Sequence, residues 1–115
     1  MKTGRLSPRP NVGLSGELKV SCSESFRLFS EGWQALMAYE RNAAPGALDV
    51  ATERLSTCVQ RYPADLLPRF YLGIAKSLTG YRGVAEAIEQ FRYIEATGVE
   101  ALRLTTQYNL AAAYI

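Results

Sequence analysis

The chain has 115 residues, enough for one domain, and 48% of them are apolar, which is sufficient for a core. A net charge of +2 and the absence of histidine argue against nucleic-acid binding, metal binding and histidine-based catalysis. No apolar run approaches the roughly 20 residues that cross a bilayer, and the basic N-terminus lacks the apolar segment of a secretory signal. We therefore expect a cytoplasmic, noncatalytic protein that uses no cofactor and binds neither nucleic acid nor membrane.

Residues 1–24 are predicted to form a flexible N-terminal arm, because proline and glycine interrupt them repeatedly. These residues are Gly4, Pro8, Pro10, Gly13 and Gly16. The arm also carries four basic residues against one acidic residue over its first twenty positions. A basic tail that contacts an acidic partner is therefore the functional alternative to a loosely draped segment.

The first predicted helix covers residues 26–41, with Ser23 or Ser25 as its N-cap. Its inward face is predicted from three- and four-residue spacing. The members of that face are Phe26, Phe29, Trp33, Leu36, Met37 and Glu40. Pro45 and Gly46 then break the helix.

A second helix is predicted at 47–62, where Pro63 stops it, and a third at 66–79, with Asp65 as N-cap. The third helix is apolar over more than one face, which predicts that it is covered on two sides. A fourth helix at 84–97 ends at Gly98, and a fifth covers 100–115. The five predicted helices make the fold class all-α, and their short connections make neighbouring helices antiparallel.

An internal repeat connects these helices. Leu36, Leu72 and Leu110 are 36 and 38 residues apart, and Ala51 and Ala87 are again 36 apart. A period of this length is typical of stacked helical pairs, in which each pair buries its apolar face against its neighbours.

The repeated residues resemble the tetratricopeptide repeat family, whose unit is a helix–turn–helix. Trp33 and Leu36 match the first helix of one unit, although Met37 stands where glycine is usual. The second helix of that unit is matched by Ala51, Leu55, Cys58 and Pro63. The next unit is matched by Leu72, Gly73, Ala87 and Phe91, while Arg69 replaces the family's Trp and Val99 its Pro. The resemblance implies a right-handed α-solenoid of about two and a half repeats over residues 25–115.

The same resemblance implies a concave groove that binds an extended peptide or a partner helix. Carried over by position, its lining is Gln34, Ala38, Arg41, Phe70, Ile74, Ser77, Tyr108, Asn109 and Ala112. The alternative for Phe70 and Ile74 is a place in the core. Basic residues that would clamp a C-terminal acidic chaperone tail are missing from the equivalent positions, so we expect no binding of such a tail.

Two functions remain open from the sequence: a noncatalytic interaction scaffold, or an N-terminal regulatory or sensor region of a larger enzyme. The last helix would expose an apolar face made by Leu110, Ala113, Tyr114 and Ile115. We expect the chain to be a fragment of a longer solenoid; the alternatives are self-association through this helix and coverage by the arm.

Individual residues give little indication of a catalytic site. Glu86 and Glu89 lie one turn apart but are expected to be solvated, and Cys58 has no histidine to activate it.

Overall fold

The computed structural model describes residues 20–113, and within them the chain forms five α-helices and no strand. The helices are α1 Ser23–Asn42, α2 Ala47–Arg61, α3 Leu66–Ser77, α4 Tyr81–Thr97 and α5 Glu100–Ala113. The predicted all-α class is confirmed. Most of the predicted arm lies outside the described residues, and Ser23 and Glu24, assigned to it, belong to α1.

Each helix packs on the next one along the chain, and α3 also contacts both α1 and α5. The connections between helices are two to four residues long, which makes neighbours antiparallel. Every residue from Leu66 to Ala75 of α3 is buried. The expectation of a central helix covered on more than one side is therefore confirmed.

Aromatic rings connect α3 to its neighbours. The ring centres of Phe29 on α1 and Tyr71 on α3 lie 5.7 Å apart, and those of Phe70 on α3 and Phe91 on α4 lie 5.8 Å apart. Phe70 and Tyr71 themselves meet edge to face at 5.2 Å. Such pairs contribute about 0.5–1.5 kcal/mol each beyond the area they bury, so the ring contacts hold α1, α3 and α4 together.

Two helical glycines allow the paired helices to approach closely. A Cβ on Gly73 would lie 2.7 Å from Cζ of Phe91, and a Cβ on Gly32 would lie 2.6 Å from Cγ of Leu55. Both distances are shorter than a van der Waals contact, so each large side chain occupies the space that the glycine leaves. The close-approach position of the first pair is thus Gly32, which the repeat spacing did not predict.

The buried face of α1 is also rotated from the predicted one. Phe26 is 56% exposed and Trp33 is 38% exposed, whereas Leu28 and Gly32 are buried. Because Gly32 faces α2, its immediate neighbour Trp33 is turned away from the core. The predicted core role of Phe26 and Trp33 is therefore wrong.

Two helix starts differ from the prediction. Cys22, rather than Ser23 or Ser25, holds the N-cap position of α1, and it makes no side-chain capping bond. α4 begins at Tyr81 because Gly80 takes a φ of 101° directly before it. Gly83 therefore lies in the first turn of α4, where a Cβ would come within 2.0 Å of the Lys76 carbonyl oxygen.

Asp65 occupies the N-cap position of α3 as predicted, but its side chain caps nothing. Its Oδ2 atom instead accepts hydrogen bonds from the Ser21 amide (3.0 Å), the Ser21 hydroxyl (2.9 Å) and the Ser25 hydroxyl (2.6 Å). The buried carboxylate thereby connects the start of α1 to the start of α3, 40 or more residues away.

The predicted apolar surface at the C-terminal end can be followed only in part. Leu110 is buried, so it does not belong to an open face. The side chain of Ala113 and residues 114–115 lie outside the described part of the structure.

We expect Gly73→Ala to lower the free energy of unfolding by about 1–3 kcal/mol, since the new methyl group displaces the Phe91 ring. The sign is informative because alanine is otherwise favoured over glycine in helices by ~1 kcal/mol. Denaturant unfolding measures the change, and adding Phe91→Leu should reduce the cost of the glycine substitution. Gln34→Ala, an exposed helical control, should stay within about 0.5 kcal/mol of the parent. A Gly73→Ala chain as stable as the parent would contradict the close packing.

We expect Ser25→Ala to destabilise the chain by about 1–3 kcal/mol, because the buried Asp65 carboxylate loses its shortest hydrogen bond. Ser23→Ala on the exposed side of the same turn is the matched control and should cost under about 0.5 kcal/mol. In a double-mutant cycle, Ser25→Ala and Asp65→Ala should cost less together than the sum of the two. Equal effects of Ser25→Ala and Ser23→Ala would refute the role of this contact.

Candidate partner-binding surfaces

The predicted groove residues on α3 do not line an open surface. Phe70 is fully buried and Ile74 is 5% exposed, so both belong to the core, as the alternative for these two residues stated. Asn109 on α5 is also buried, and its Nδ2 donates a hydrogen bond to the Thr105 carbonyl oxygen at 2.7 Å. These three side chains are therefore not available to a ligand in this conformation.

The other predicted groove residues are at least partly accessible. Gln34, Arg41, Tyr108 and Ala112 are exposed, while Ala38 and Ser77 are half-buried. The Ser77 hydroxyl donates to the Ile74 carbonyl oxygen of its own helix at 2.6 Å. Because α3 is buried through Ala75, the exposed members on α1 and α5 are separated by a stretch of α3 with no accessible side chain.

Among the described residues, an opening to solvent lies between α2 and α4, with α3 beneath them. This α2–α4 cleft has a volume of about 270 Å³. Val59 and Leu72, both buried, provide its apolar floor. Its polar lining consists of Ser56, Gln60, Lys76, Glu86, Glu89 and Gln90.

An ion pair occupies one side of the α2–α4 cleft. Lys76 Nζ lies 2.7 Å from Oε1 of Glu86, and this hydrogen bond lowers the pKa of the Glu86 carboxyl below its ordinary value. Glu89, one turn further along α4, is exposed and makes no hydrogen bond or ion pair with a described residue. The one ammonium group of the cleft is thus paired, and one carboxylate is free.

A buried arginine supports the opposite side of the cleft. Arg69 Nη1 donates to Oε1 of Gln90 at 2.9 Å, and Nη2 donates to the Pro63 carbonyl oxygen at 3.0 Å. The guanidinium also lies 3.7 Å from the centre of the Tyr93 ring. Burial lowers the pKa of Arg69, which has no carboxylate partner among the described residues. Arg69 therefore fixes Gln90 and Tyr93 on the surface of α4.

A smaller cavity of about 100 Å³ lies between the end of α4 and α5. Ile94, Leu102 and Thr106 form its buried wall, and Glu95 and Arg103 stand at its rim. The Thr106 hydroxyl is buried without a hydrogen-bond partner. A cavity of this size accommodates at most a few waters or one small side chain.

A second polar cluster surrounds the exposed thiol of Cys22 at the start of α1. The Tyr62 hydroxyl donates to Glu24, which also pairs with Arg61, and hydrogen bonding to Glu24 raises the pKa of Tyr62. Contact with Tyr62, followed by the backbone amide of Ser25, lowers the pKa of the Cys22 thiol. The sequence did not predict this cluster, and the only signal for it was a cysteine directly before a helix.

Cys58 has the opposite environment. It is buried on α2, with its Sγ 3.3 Å from the Ser25 hydroxyl and 3.4 Å from the Ser25 carbonyl oxygen. Desolvation raises the pKa of the Cys58 thiol. Both cysteines are free, and Cys58 is fully buried in the core.

The described residues contain no group of three or more His, Cys, Asp or Glu side chains arranged to hold a metal ion. None of the described helices combines the length and the apolar character needed to cross a bilayer. Comparisons with protein-family models, with curated proteins and with solved structures gave no match.

We expect Tyr62→Phe to raise the pKa of Cys22, because the substitution removes a polar hydroxyl beside the thiol and leaves the Glu24 carboxylate, whose charge disfavours the thiolate, without its hydroxyl donor. Only the thiolate reacts with iodoacetamide, so at any pH below the inflection the alkylation of Cys22 should slow, and the inflection should move to higher pH. Peptide mass spectrometry follows Cys22 and Cys58 separately, and Cys58 should stay protected in the folded chain. Tyr81→Phe removes an exposed hydroxyl elsewhere and should leave the profile unchanged. An unaltered profile for Tyr62→Phe would contradict the contact.

Proposed function

We propose that the chain is a noncatalytic protein-interaction scaffold built as a right-handed solenoid of helix pairs resembling tetratricopeptide repeats. Two packing features support this architecture. The pairs α1–α2 and α3–α4 each close on a helical glycine, and the first helices of successive units contact each other as α1–α3 and α3–α5. Such stacking is the way in which helical-pair repeats bury their faces.

The observation that carries the binding function is the α2–α4 cleft. It is open to solvent, it places donors, acceptors and both signs of charge above an apolar floor, and it is formed by three different helices. Its lining contains neither histidine nor cysteine, and its lysine, Lys76, is held in an ion pair with Glu86. A surface of this kind suits recognition of a protein segment rather than chemical conversion of a substrate.

Exposed aromatic side chains add a second argument. Phe26 and Trp33 are two helical turns apart on α1, and Tyr108 on α5 is 49% exposed. Aromatic residues are enriched among the side chains that dominate binding energy at protein interfaces. The proposed partner is therefore a protein or peptide, with the exposed groove members on α1 and α5 as a further contact surface. Self-association through α5 is a variant of the same proposal.

We expect Tyr108→Ala to weaken partner binding by about tenfold or more, since a half-exposed tyrosine is a typical interface anchor. Partners are identified by cross-linking the intact chain in lysate, then purified and titrated against it by calorimetry. Tyr81→Ala is the matched control, because Tyr81 is 97% exposed and lies outside the proposed surfaces.

Two results would count against the proposal at different levels. If no purified candidate binds the folded chain, the scaffold function is wrong. If Tyr108→Ala and Tyr81→Ala have the same affinity as the parent, the chain binds partners, but not through the predicted groove surface on α5.

A further inference from the structure

We propose that the α2–α4 cleft binds a basic side chain, with arginine preferred over lysine, presented by an extended segment of a partner protein. The inference rests on the proposed scaffold function and specifies the chemistry of the partner. It places the specific contact on the side of α2 and α4 rather than in the groove implied by the repeat family.

The charge balance of the cleft selects the sign of the ligand. Lys76 is neutralised by Glu86 at 2.7 Å, which leaves the exposed carboxylate of Glu89 as the unpaired charge of the lining. An acidic or phosphorylated ligand would have to break the Lys76–Glu86 pair and approach Glu89. A cationic ligand can pair with Glu89 without breaking the Lys76–Glu86 ion pair.

The floor of the cleft matches a long basic side chain. Val59 and Leu72 are buried beneath it and offer apolar surface to a methylene stem, while the charged head group remains at the rim with Glu89. A planar guanidinium can engage a carboxylate through two hydrogen bonds, which an ammonium group cannot, and this favours arginine. The volume of about 270 Å³ is close to the lower limit of ~300 Å³ for small-molecule pockets, so it suits one side chain with its adjoining backbone.

Gln90 supplies the contact to that backbone. Its Oε1 is held by Arg69 Nη1 at 2.9 Å, which fixes the orientation of the amide plane. With the oxygen committed to Arg69, the amide NH₂ group remains to donate to a peptide carbonyl oxygen. Arg69 is thus a positioning residue for the cleft. In the proposed site, this buried arginine has no carboxylate partner among the described residues because its guanidinium orients the Gln90 amide instead.

The test uses three capped tripeptides as probes with the intact chain: glycine–arginine–glycine, its neutral isostere with citrulline, and glycine–glutamate–glycine. Amide chemical shifts of the chain are followed by NMR during titration. The arginine peptide should shift residues around Gln60, Lys76 and Glu89, should bind more weakly at high ionic strength, and should bind better than both other probes.

Substitutions on one helix give the matched comparison. Glu89→Gln should weaken binding of the arginine peptide by roughly two- to fivefold, the range for an exposed ion pair. Glu95→Gln makes the same change on the same helix but outside the α2–α4 cleft, at the rim of the smaller cavity, and should leave binding unchanged.

Equal binding of the arginine and citrulline peptides, shifts that lie outside the cleft, or equal effects of Glu89→Gln and Glu95→Gln would each overturn the inference. The outcome is separable from that of the scaffold function, because the tripeptides require no natural partner. A purified partner that binds the Glu89→Gln chain with parental affinity would refute the cleft assignment and leave the scaffold function standing.

Discussion

The fold depends on how closely the two helices of each pair approach. Gly32 and Gly73 have no Cβ, and the side chains of Leu55 and Phe91 fill the vacant positions. Any larger residue at either glycine would push α1 from α2, or α3 from α4. Because the Phe91 ring also meets the Phe70 ring edge to face, the same side chain makes a second contact between α4 and α3. Each pair thus contains the same kind of contact, in which a large side chain of the second helix packs on a glycine of the first. The two glycines are nevertheless not separated by the same number of residues as the repeated leucines, Leu36 and Leu72.

This packing also decides which surfaces remain open. Tight pairing surrounds α3, so that ten consecutive residues from Leu66 to Ala75 are buried and a continuous groove along the first helices is interrupted. Space remains instead between α2 and α4 above α3, and that is where the polar α2–α4 cleft lies. The burial of α3 is therefore the reason that the proposed binding site lies between the second helices of the pairs, α2 and α4.

Local signals predicted the helices well, because Pro45, Gly46, Pro63 and Gly98 act on the backbone beside them. The faces of the helices were harder to predict. Apolar spacing on α1 fits either Trp33 or Gly32 as the inward position, and only the contact with Leu55 decides between them. Phe70 could have lined a groove or filled the core, since hydrophobicity serves both. The cleft depends on residues from three helices that no spacing rule brings together.

The two buried charges at the start of α3 share one kind of environment. Asp65 and Arg69 lie at the start of α3, and neither has an oppositely charged partner among residues 20–113. Neutral groups bind them instead: serine hydroxyls and a backbone amide for Asp65, and a glutamine and a backbone carbonyl for the two Nη atoms of Arg69, whose buried Nε has no hydrogen-bond partner among these residues. Because an unsatisfied buried charge is costly, each fixes the groups around it. Asp65 thereby fixes the start of α1, and Arg69 orients Gln90. The first turns of α3 therefore stabilise the fold through Asp65 and position one wall of the proposed binding site through Arg69.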